Sequence, residues 1–119
     1  MGGLPKGVPE NYAYEYNAKF KFQKKHIIES GWTNVGIQSA TFHDNAWWFG
    51  CYGTPKAMLK TDATFKMLGR YDFDCSLGIV GVARNRFLYA TGSQVNERFT
   101  GELHPAQADA ENGLRDAAE

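Results

Sequence analysis

The stretch GIQSATFHDNAWWFGCYG, residues 36–53, decides how the rest of the chain is read. It divides into two apolar segments, 37–43 and 47–52, around the turn residues Asp44, Asn45 and Ala46, and Gly36, Gly50 and Gly53 punctuate it. Neither segment is long enough for an ordinary helix. Short apolar runs bounded by turn residues mark strands buried on both faces. Trp47 and Trp48 then send one ring to each face of the sheet, because successive side chains of a strand alternate. A shorter version returns at 78–92, GIVGVARNRFLYATG. There Gly78-Ile79 matches Gly36-Ile37, Asn85-Arg86-Phe87 matches Ala46-Trp47-Trp48, and Gly92 matches Gly53.

Working outward, residues 1–11 are Gly- and Pro-rich and expected to be irregular. Residues 12–17 set Tyr12, Tyr14 and Tyr16 against Ala13 and Glu15, and a turn at Asn17-Ala18 leads into 19–29. There Phe20, Phe22, His26 and Ile28 alternate with Lys19, Lys21, Gln23 and Lys25, so the two segments read as a half-exposed hairpin. The pattern recurs 45 residues later, with Ala57, Leu59 and Thr61, the turn Asp62-Ala63, and then Phe65, Lys66, Met67 and Tyr71. A period of about 40–45 residues holding four short strands is the spacing of a β-propeller blade.

With strands lettered A to D from the axis outward, the chain reads C–D, A–B–C–D, A–B. Residues 99–106 offer a last strand C, and 107–119, Ala- and acid-rich without an apolar face, are expected to fray around a turn at Asn112-Gly113. The expectation is an all-β domain over 1–106, built of antiparallel four-stranded propeller-blade repeats. About two blades are expected, with repeat units 12–53 and 57–92 and a frayed C-terminal tail over 107–119. Ile37, Phe42, Trp48, Phe49, Ile79 and Phe87 are its expected core.

Composition narrows the partners. Lys+Arg and Asp+Glu balance at 13 each, which argues against nucleic acid or an anionic membrane, both of which demand a basic surface. No apolar run approaches the roughly 20 residues needed to span a bilayer. The first residues lack the charged start and apolar core of a signal peptide, so the sequence reads as soluble with no export address.

The residues of 36–53, followed by LKTDATFKMLGRYDFD and SLGIVG, resemble the terminal blades of bacterial β-propeller proteins, in the NHL-like and lactonase-like group. Those propellers share Gly-led inner strands and T-D turns, and the resemblance covers about 12–92. It implies the fold and leaves the chemistry open, since propellers host hydrolases, lyases, lectins and scaffolds alike. Complete propellers have about four to eight blades. About two blades imply either part of a longer parent or copies that assemble into a ring. A cyclic homo-trimer is the first expectation and a dimer the second, with the hairpin 12–29 of one copy completing the sheet begun by another's 78–92.

In such a fold the D–A and B–C connections share one face, where ligands usually bind. That face takes Trp32, Asn34, Gln38, Tyr52, Asp72 and Asp74, an aromatic pair beside polar groups suited to a sugar or other small polar molecule. The plainer reading is that these residues close loops between blades. Asp72 and Asp74 share a face without a third carboxylate, a weak signal for acid–base chemistry or a cation. His26, His43 and His104 lie on different elements without ligand spacing, so no metal or other cofactor is expected. Cys51 and Cys75 sit at the ends of strands that are not neighbours and are expected to be free, packed thiols. Two functions remain: a non-catalytic binding or assembly module, or a fragment of a propeller hydrolase acting on a small polar or sugar substrate.

Overall fold

The computed structural model describes residues 9–117, with the backbone alone at 93–95. The expected irregular start lies outside the described residues up to position 8, and Asn11 already opens the first strand. The chain is all-β: β1 (Asn11–Tyr16), β2 (Phe22–Ile28), β3 (Ile37–His43), β4 (Ala46–Cys51), β5 (Ala57–Asp62), β6 (Met67–Tyr71), β7 (Ile79–Ala83), β8 (Arg86–Val95), β9 (Arg98–Asp109) and β10 (Gly113–Asp116). These form a two-stranded sheet β1–β2 and two four-stranded sheets, β3–β4–β5–β6 and β7–β8–β9–β10, every pair antiparallel and every neighbour consecutive in the chain.

The turns show why the strands stop where they do. Asn17 Oδ1 accepts the amides of Lys19 and Lys21 at 2.8 and 3.1 Å, and Phe20 takes a positive φ of 61°. Asp62 Oδ1 accepts the amides of Thr64 and Lys66 at 2.9 and 3.0 Å, and Phe65 has φ 69°. Each turn consumes the residues up to Lys21 or Lys66, so the expected strand 19–29 shortens to β2, and the strand that repeats it starts only at Met67, as β6. A register shift at Glu15/Tyr16 also moves Phe22 beside Tyr14 and Tyr16, away from the face that Ile28 buries.

The first four-stranded sheet is the middle layer. Ala13 and Ile28 of the hairpin share one core with Ile37, Phe49, Cys51, Ala57 and Leu59. On the opposite face Ala46, Trp48 and Met58 share a second core with Ile79, Phe87, Tyr89, Ala106 and Leu114. Burying one such large side chain is worth about 1.5–3 kcal/mol, and both faces of β4 contribute. The innermost strands β3 and β7 lie side by side: Thr41 Oγ1 accepts the amide of Gly81 at 3.3 Å, and His43 Nε2 donates to the carbonyl of Ala83 at 2.6 Å. A Cβ on Gly81 would stand 2.0 Å from the His43 ring, and one on Gly50 would stand 2.6 Å from the carbonyl oxygen of Cys75. Glycine at these two positions lets the layers close.

Four expectations are corrected. Phe42 is 47% exposed, whereas Ile37, Trp48, Phe49, Ile79 and Phe87 are buried. Among the described residues the layer above Phe42 has only the two strands of the hairpin, and none of their side chains covers it. The second A–B turn aligns one residue away from the sequence match: Asn45 and Asn85 hold the positive-φ positions, which equates Trp47 with Phe87 and Trp48 with Leu88. The tail over 107–116 does not fray, because β9 runs to Asp109 and β10 pairs with it from Gly113 to Asp116. Tyr89 donates to Asp116 and fastens β10 to the core. Finally, the sheet begun at 78–92 is completed by this chain's own β9 and β10, which leaves no place in it for another copy's hairpin.

Candidate functional site

Loops at one end of the two large sheets carry the residues singled out from the sequence. Tyr52, just past β4, and Asp74, in the loop before β7, line a cleft of about 400 Å³ with Leu77, Thr91 and Phe99. Its wall is the long β8–β9 hairpin, on which Phe99 is 82% exposed. The Asp74 carboxylate is engaged locally, accepting from the Ser76 amide at 3.1 Å and the Ser76 hydroxyl at 2.8 Å. Asn34 packs against Gly53, beside Tyr52. Gln38 donates to the carbonyl of Val35 at 3.3 Å. The Trp32 ring is half-buried, with its indole N–H enclosed and without a hydrogen-bond partner among the described residues. Asp72 lies in a separate shallow depression with Pro55, Lys56 and Arg70. Tyr52 and Asp74 therefore share a cleft, with Asn34 near it and Asp72 apart.

The cysteines flank this region as free, buried thiols. Burial pushes Cys51 up to about 11, the nearby Arg70 charge partly opposing it. Burial, then the charges of Asp74 and Cys51, push Cys75 up to about 12. Both stay protonated near neutral pH, the unreactive form of the group. His26 pairs with Glu15 at 2.9 Å, His43 reaches across to the Ala83 carbonyl and His104 Nε2 meets Thr91 Oγ1 at 2.8 Å, so the three histidines have separate partners. Among the described residues, no three His, Cys, Asp or Glu side chains converge as a metal site would require.

A second cleft, of about 500 Å³, was not singled out from the sequence. It opens between β1 and the first four-stranded sheet, over Ala40, Trp47, Phe49 and Phe65. The Trp47 ring stacks on Phe65 at 5.6 Å and on Phe49 at 5.8 Å, giving a flat aromatic floor. The Glu15–His26 pair belongs to its polar rim. No single residue of the sequence signals it, because it forms where the hairpin and the first four-stranded sheet meet.

Among the described residues no helix is long and apolar enough to cross a membrane, which says nothing of strands. No protein-family model matches the chain, and neither the curated proteins nor the solved structures contain a significant match to it.

Proposed function

We propose that this chain is a non-catalytic module of β-propeller-type blades that works by binding and assembly with copies of itself. One observation carries the reading. Leu103 sits opposite Ala90 on β8 as Met58 sits opposite Gly50 on β4, yet Met58 is fully buried and Leu103 is 70% exposed. On β7, across β8 from Leu103, Val80 and Val82 are 50% and 54% exposed. A surface that the first sheet buries is thus left open on the second, and exposed apolar patches of this kind mark interaction sites. At the other end of the stack Tyr14, Tyr16, Phe22 and Ile27 are about half exposed. The two ends differ, so contacts between copies run head to tail and close by rotation, with a trimer preferred and a dimer second.

The side-by-side inner strands β3 and β7 support the blade reading, since blades of a propeller meet along their inner strands. The Tyr52–Asp74 cleft is the place for a small polar or sugar ligand on such a module. Methyl spectra of the labelled protein across a dilution series test the assembly. Val80, Val82 and Leu103 signals should shift with concentration while Met58 and Leu59 stay fixed; shifts confined to other residues would remove the proposed face.

A further inference from the structure

In both complete sheets the third strand is flanked on both edges: β4 pairs with β5, and β8 pairs with β9. β1 stands in the same place in its own layer, because its turn at Asn17 repeats the turn at Asp62. Yet among the described residues β1 pairs with β2 alone. Its other edge faces the cleft over Trp47. Open edges are usually blunted by lysine, proline or a bulge that turns them away. β2 carries Lys24 and Lys25, whereas β1, NYAYEY, has one charge, Glu15, and that is paired with His26.

The floor tells the same story. In the second sheet, the face of β7 and β8 around Gly81 and Phe87 is covered by His43 and Trp48 of β3 and β4. The matching face of the first sheet leaves Ala40 exposed and Phe42 47% exposed. The pair of strands that covers the one has no counterpart over the other among the described residues. We infer that the open edge of β1 and the cleft beside it form a strand-addition site for an extended polypeptide segment, antiparallel to β1 and apolar on alternate residues. Main-chain hydrogen bonds to the edge supply affinity, and the Trp47–Phe49–Phe65 floor selects the inward side chains.

This inference rests on the repeat correspondence of the blade reading, and its test separates the two. The probe is a synthetic peptide of residues 36–53 with Cys51→Ser, the strand pair that fills the equivalent place in the first sheet. Binding is measured by fluorescence polarisation to the full chain carrying Val82→Glu and Leu103→Glu, which removes the outer contact face, with amide exchange followed in parallel. The peptide should bind saturably and slow exchange in β1, and Ala40→Arg should weaken it by roughly tenfold or more while Ala40→Ser does not. No binding up to about 1 mM, slowed exchange elsewhere than β1, or indifference to Ala40→Arg would each overturn the site and leave the outer-face assembly standing. Concentration-dependent protection of β1 in the unmutated chain without peptide would make a second copy the occupant and overturn it as well.

Discussion

Asn17 and Asp62 hold the same turn with different charge, which makes the pair an internal control. The bonds from the Lys66 amide, first, and from Thr64 hold the Asp62 carboxyl below its ordinary value of 3.8. A lowered carboxyl contributes stability that is complete above the unfolded value and is lost as pH falls through the folded one. Asp62→Asn should therefore keep the turn at pH 7, as Asn17 does, and reduce the loss of stability on going below about pH 4. Denaturant melts at pH 7 and pH 3 check this. Asp109, also lowered, chiefly by its Asn112 bond, retains part of the slope. Trp48→Ala should cost about 3–5 kcal/mol, whereas Phe42→Ala should cost about 1 kcal/mol or less. Both tryptophans were legible as opposite-facing from their adjacency alone. The exposure of Phe42 was not, because it depends on how far the hairpin layer extends over β3.

At the scale of elements, the alternation of 12–17 and the Asx-Ala turns placed β1 to β6 within a few residues of their observed ends. The end of β9 and all of β10 were misread as tail, although a third Asx-Ala pair stands at Asp109-Ala110, where Asp109 Oδ1 accepts the Glu111 amide at 3.2 Å. Two things hid it. The interval lengthens from 45 to 47 residues, and the inward residues Ala106 and Ala108 are too small to register as an apolar face. Leu114, only 1% exposed, is the residue that seats β10. Leu114→Ala should destabilise the fold by about 2–5 kcal/mol in denaturant melts; a loss near zero would return residues 107–116 to a frayed tail. The candidate site divides the same way: loop positions such as Tyr52 and Asp74 could be placed by strand order, but the cleft over Trp47 depends on how the hairpin seats on the first sheet.

For the whole molecule, three stacked layers leave exposed apolar side chains at both ends of the stack, the two surfaces proposed to meet in the assembly. Lys+Arg and Asp+Glu balance at 13 each, so the proposed contacts rest on shape and apolar area. Light scattering over the micromolar range tests the central claim most directly. The chain should show a mass of two or three times 13.3 kDa, and the Val82→Glu/Leu103→Glu variant should fall to 13.3 kDa with its sheet spectrum unchanged. A folded, unmutated chain that stays at 13.3 kDa throughout would contradict it.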